Sequence, residues 1–100
     1  MDDKFMSLEE WEAERMKDPE FVAALAAREP AFQVARLRIQ RGLTQKQLAE
    51  LVGTKQSSIA RLERGTTPPN LTFLIKVAMA LGARVEVRLA SLDEPAPVPA

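Results

Sequence analysis

Gly53 divides two short runs, residues 45–52 and 56–64, that each show helical apolar spacing over barely two turns. Behind the capping residue Thr44, the first run presents Leu48, Ala49 and Val52 on one face. The second turns Ile59 and Leu62 inward and stops at Gly65. Gly53 permits a sharp turn between them, and the small Ala49 lets the second helix approach closely. A pair joined this way leaves the outer face of the second helix standing clear, where it can enter a DNA major groove. That face reads Gln56, Ser57 and Arg61.

The flanking segments predict an all-α fold. Ser7-Leu8-Glu9-Glu10 has the spacing of a capping box and predicts a helix over residues 8–17. Asp18-Pro19 restarts a helix whose stripe is Phe21, Val22 and Leu25, and Pro30 is expected to end it. A third helix over residues 31–41 is marked by Val34, Leu37 and Ile39 and closes at Gly42. Thr66-Thr67-Pro68-Pro69 is a loop, after which Asn70 caps a last helix with Leu71, Leu74, Ile75, Ala78 and Leu81 inward. The expected core is Leu48, Ile59, Leu62, Leu74 and Ala78. Beyond Gly82 the period drops to two: Val85, Val87 and Leu89 alternate with Arg84, Glu86 and Arg88, as in a half-buried strand. One strand needs a partner, and no second convincing strand exists, so pairing across a two-fold axis in a homodimer is expected. The domain plan is an acidic helical arm (1–30), the DNA-binding domain (31–82), the dimerisation strand (83–92) and a proline-rich tail (93–100).

Composition narrows the chemistry. At 100 residues and 46 % apolar content there is material for one small core. The absence of Cys, His and Tyr removes disulfides, Cys/His metal sites, thiol nucleophiles and Ser-His-Asp arrangements. No catalytic residue, metal or cofactor is expected, and the carboxylates of residues 9–14 lie on an exposed-looking helix without a nucleophile. No apolar run approaches the roughly 20 residues of a membrane span, and the acidic start is unlike a secretion signal, so a cytoplasmic protein is expected, at the nucleoid when bound to DNA.

Zero net charge conceals a sharp asymmetry. Residues 1–30 hold nine acids against four bases, whereas residues 31–92 hold ten bases against three acids. A basic module fused to an acidic arm makes a polyanion the first partner to consider. A merely solvated surface remains the alternative.

The stretch Gly42-Leu43-Thr44-Gln45, Leu48-Ala49, Gly53, Ile59, Glu63-Arg64-Gly65 closely resembles the helix-turn-helix of the Cro/phage-repressor (XRE-type) family, over about residues 34–81. The resemblance implies a five-helix, lambda-repressor-like domain with the N-terminal arm and C-terminal strand appended. It implies base reading by Gln56, Ser57 and Arg61, since Gln pairs with adenine and Arg with guanine. Gln45 falls where the family contacts a phosphate. Lys55 stands at the recognition-helix cap where the family has Ser or Thr, exchanging a cap worth on the order of 1 kcal/mol for a phosphate contact. Ser58 and Ala60 are candidates for a sugar or a thymine methyl. Arg38 and Glu63 match a structural ion pair of the family. Arg41, Lys46, Arg64 and Lys76 are phosphate clamps or ordinary surface charge.

The order of arm, domain and Leu-Gly-Ala-Arg-Val-Glu-Val-Arg-Leu strand looks like antitoxins of the HigA group, which repress their own operon as dimers and neutralise a RelE/HigB-like ribonuclease. This implies that Leu8, Trp11, Phe21 and Leu25 bind a basic toxin beside the arm's carboxylates. Packing of those aromatics on the protein's own core is the other reading. A stand-alone repressor without a toxin partner is the functional alternative.

Overall fold

The computed structural model describes residues 7–93, in which there are five helices and no strand. They are α1 (Leu8–Arg15), α2 (Pro19–Gln40), α3 (Gln45–Val52), α4 (Gln56–Arg64) and α5 (Leu71–Ala80). Ala23–Glu86 form one compact unit; among the described residues, 7–22 and 87–93 belong to a second.

In the larger unit, helices of eight to ten residues are too short to persist alone, so burial must hold them. α3 packs on both α4 and α5. The core consists of Val34, Leu48, Ala49, Ile59, Leu62, Val77 and Leu81, with Leu37, Leu43, Val52, Phe73 and Leu74 packed around it. Thr44 and Gln47 close a capping box at the start of α3: the Gln47 amide donates to Thr44 Oγ1 (3.0 Å) and the Thr44 amide to Gln47 Oε1 (2.9 Å). Gly53 sits at φ 81°, and its N–H and that of Thr54 both return to the Ala49 carbonyl at 2.9 Å.

Three expectations differ from what is found. The break at Pro30 is absent: α2 runs through it as one helix of 22 residues. Proline removes the bond to the Ala26 carbonyl and costs about 3 kcal/mol in a helix interior. Ala27, Ala31 and Val34 nevertheless form one buried face across that point, and burying a Val side chain alone is worth about 1.5–3 kcal/mol. The packed face overrides the local breaker. The expected pair of helices is therefore one, and the helix-turn-helix unit is entered by a long first helix.

The second difference is the face of α5. Leu71 and Ile75, expected inward, are 49 % and 41 % exposed, and Val77 is fully buried in their stead. Eight of the ten residues of α5 are apolar, so periodicity alone leaves its rotation undetermined. The third is the strand. Residues 83–91 carry no regular secondary structure. The alternation survives locally, with Arg84 Nη2 meeting Glu86 Oε2 at 3.0 Å, two residues apart as on extended backbone. A ladder requires a partner strand, which the described residues of a single chain do not offer. The proline-rich tail beyond residue 93 lies outside the described residues.

In the smaller unit, α1 begins with the expected capping box: the Glu10 amide donates to Ser7 Oγ (3.1 Å) and the Ser7 amide to Glu10 Oε1 (3.3 Å). Asp18 caps α2 by accepting from the Glu20 amide at 3.0 Å.

Candidate nucleic-acid interface

α4 presents two chemically distinct faces. Ile59 and Leu62 are buried, while Gln56, Ser57 and Arg61 are all exposed on the other side. Ser58 and Ala60 lie half-buried at the margins. Lys55 occupies the N-cap without a side-chain cap bond, so its ammonium stays exposed and the first-turn N–H groups receive no side-chain oxygen from it. Lys46, Lys55, Arg61 and Arg64 are exposed, and none pairs with a carboxylate among the described residues. Beside Arg61 opens a cleft of about 310 Å³ whose polar walls include Thr54, Ser58 and Thr67 and whose apolar walls include Leu62 and Phe73. No acid lines it.

A polar network fixes this face to the domain. Glu63 accepts from Arg38 Nε at 2.7 Å and Nη2 at 3.0 Å, and Arg38 Nη1 donates to the Leu43 carbonyl at 2.8 Å. The side chains are only 16 % and 8 % exposed. The hydrogen bond to Glu63 raises the guanidinium's pKa against the opposing effect of burial, so Arg38 stays charged. Gln45 Nε2 adds a third kind of donor, at 3.2 Å from Glu63 Oε1. A carboxylate only accepts, so the Gln45 amide is oriented nitrogen-first and keeps one N–H for another acceptor. Nothing in the sequence signals this bond, because its partners are 18 residues apart and neither belongs to a recognisable pair.

Arg41, open to either a phosphate or a surface role, is exposed and makes one bond to the domain. Its Nε donates to the Leu81 carbonyl at 2.9 Å, satisfying the end of α5. Lys76 is exposed on α5.

Of the candidate partner-binding residues, Leu8, Trp11 and Phe21 belong to the smaller unit and Leu25 to the larger. Trp11 and Phe21 meet edge to face at 6.0 Å, and the Arg15 guanidinium lies over both rings at 5.3 and 5.7 Å. The Trp11–Arg15 half was readable as an i, i+4 pair; the contact with Phe21 needed the turn at residues 16–18. Leu8 is exposed, whereas Leu25 is half-buried in the larger unit. Of the candidate dimerisation residues, Val85 is half-buried and Val87 and Leu89 are exposed.

Comparison with known proteins decides the family: its helix-turn-helix description fits residues 34–87, just over half of the chain. The chain belongs to the helix-turn-helix family. The helix-turn-helix match contains α3, α4 and α5 entire and begins within α2 at Val34. Similar proteins include an uncharacterized HTH-type transcriptional regulator of Haemophilus influenzae, 46 % identical over 50 residues that make up 50 % of this chain and 51 % of that protein. Uncharacterized HTH-type transcriptional regulators of Archaeoglobus fulgidus and Methanothermobacter thermautotrophicus are 35 % and 40 % identical, over 54 % and 57 % of this chain and 77 % and 83 % of theirs. The chain spans about half the length of the Haemophilus relative. No solved structure matches it. No helix among the described residues is long and apolar enough to cross a membrane.

Proposed function

We propose that the chain is a DNA-binding transcriptional repressor, in keeping with the names its relatives carry, and not an enzyme. The observation that carries this reading is the exposed Gln56, Ser57 and Arg61 on a helix whose opposite side is locked into the core. Gln56 and Arg61 offer bidentate donors and acceptors to base edges, and Ser57 a hydroxyl. Lys46, Lys55 and Arg64, with the spare N–H of Gln45, neutralise and register phosphates. The acid-free cleft beside Arg61 suits a sugar-phosphate. The protein works as a homodimer paired through Val85, Val87 and Leu89, on half-sites about 34 Å apart, and silences a promoter by covering it.

The finer reading is an antitoxin that represses its own operon and neutralises a RelE/HigB-like ribonuclease. The acidic arm supports it: exposed Leu8 and Trp11 stand among Glu9, Glu10, Glu12 and Glu14, a surface suited to a basic partner. A repressor without a toxin is the second reading, favoured by relatives whose names mention regulation alone. Footprinting on the DNA upstream of its own gene tests the first claim, and protection lost in Arg61→Ala is the expected result. Growth of cells expressing the adjacent small open reading frame tests the second. Arrest relieved by the full chain but not by the chain lacking residues 1–30 establishes the antitoxin; a harmless neighbour leaves the stand-alone repressor.

A further inference from the structure

Glu63 uses its two carboxylate oxygens unequally. Oε2 accepts from Arg38 Nε alone (2.7 Å), whereas Oε1 accepts both from Arg38 Nη2 (3.0 Å) and from Gln45 Nε2 (3.2 Å). Arg38, on α2, is itself pinned by its bond to the Leu43 carbonyl in the loop that leads into α3. The carboxylate on α4 is therefore clamped from α2 and largely shielded from water. It offers one fixed acceptor to Gln45, the first residue of α3.

This bond does more than join two helices. A glutamine side chain turns about three torsions, and freezing it on binding weakens the complex that requires it. Here folding has already frozen it: one hydrogen of Nε2 is held by a carboxylate that cannot turn, which fixes the nitrogen in space. The second hydrogen on that nitrogen has no acceptor among the described residues. Gln45 is half-buried, but Thr44 and Lys46 on either side are exposed, so an acceptor can reach the opening of α3 from solvent, and the Lys46 ammonium beside it favours an anionic one. We propose that Glu63 is a positioning residue for DNA binding, one that holds the Gln45 amide nitrogen ready to donate its second N–H to a backbone phosphate; this rests on the reading of the chain as a DNA-binding protein. The Arg38–Glu63 pair then acts on DNA affinity through Gln45, and not only on the stability of the domain.

The test titrates the full-length protein into a fluorescein-labelled duplex of random sequence, which suffices because a phosphate contact is indifferent to base order. Gln45→Met, close in size but without a donor, is expected to weaken binding roughly two- to tenfold. Its slope of log affinity against log salt should not change, because the lost amide carries no charge. Glu63→Gln keeps an acceptor for Arg38 but no longer dictates which end of the Gln45 amide faces it. It should weaken binding to a similar degree, and the double variant should be no weaker than Gln45→Met alone. A purely structural Glu63 would instead lower affinity by the same factor whether position 45 is Gln or Met. Circular dichroism melts show whether each variant is folded. If Glu63→Gln is not, the Gln45 side-chain amide signals of the unaltered protein, assigned by their loss in Gln45→Met, decide: adding the duplex should shift one of the two protons and leave the other. Additive losses, undiminished affinity in Gln45→Met, or amide signals indifferent to the duplex overturn the positioning role while leaving DNA binding in place. No binding of any duplex by the unaltered protein removes the DNA-binding reading itself, and this role with it.

Discussion

Gly65 lies so close to Ala31 that a β-carbon at position 65 would stand 3.0 Å from the β-carbon of Ala31 and 3.4 Å from the Ala27 carbonyl oxygen. The end of α4 is thus seated on the buried alanine face of α2. The contact lies on the same buried face that carries α2 through Pro30. Gly65→Ala meets both a crowded neighbour and a φ of 66°. A loss of about 2–4 kcal/mol in denaturant unfolding is expected. Gly53→Ala has the same backbone strain at φ 81° but open space around it, and should lose only about 1–2 kcal/mol. Equal losses at the two positions would dissolve the distinction.

Pro30→Ala should stabilise the protein. It restores a bond to the Ala26 carbonyl at a position where the backbone is already helical. Allowing for the freer unfolded chain, a gain on the order of 1–2 kcal/mol is expected. A lower melting temperature would show that the proline itself is needed there.

Removing one half of the Arg38–Glu63 pair strands a charge that is largely shielded from water. Arg38→Met or Glu63→Met should each cost about 3–5 kcal/mol, with the double substitution recovering much of it. The pattern to measure is the double-mutant cycle, and additive losses would mean that the pair is not a unit.

Lys55→Ser separates stability from binding. The serine hydroxyl can accept from a first-turn N–H that Lys55 leaves uncapped, so stability should rise by about 1 kcal/mol. If Lys55 meets a phosphate, the slope of log affinity against log salt should fall by about 0.9 at the same time. An unchanged slope removes Lys55 from the interface.

Arg61→Ala should lose about 1–3 kcal/mol on the operator and relax preference at one base position. Equal losses on operator and random DNA would make Arg61 a phosphate contact and leave Gln56 and Ser57 as the readers.

Local chemistry determined the parts of this protein that can be read from neighbours in the chain. Caps at Ser7, Asp18, Thr44 and Asn70 appear where their spacing places them, because each is a bond between residues two or three apart. Gly53 and Gly65 end their helices in the left-handed conformation for the same reason. The Arg38–Glu63 pair was legible only through likeness to a family, since its members are 25 residues apart. Tertiary packing alone decided the rest. Pro30 is a local breaker overruled by the burial of Ala27, Ala31 and Val34, and α5 is apolar on so many sides that only the core could choose which to bury. Gln45 found Glu63, and Arg41 found the Leu81 carbonyl, because folding brought the end of one helix to another. Short-range hydrogen bonds are written in consecutive residues; the choice among competing apolar faces is made by the whole core at once.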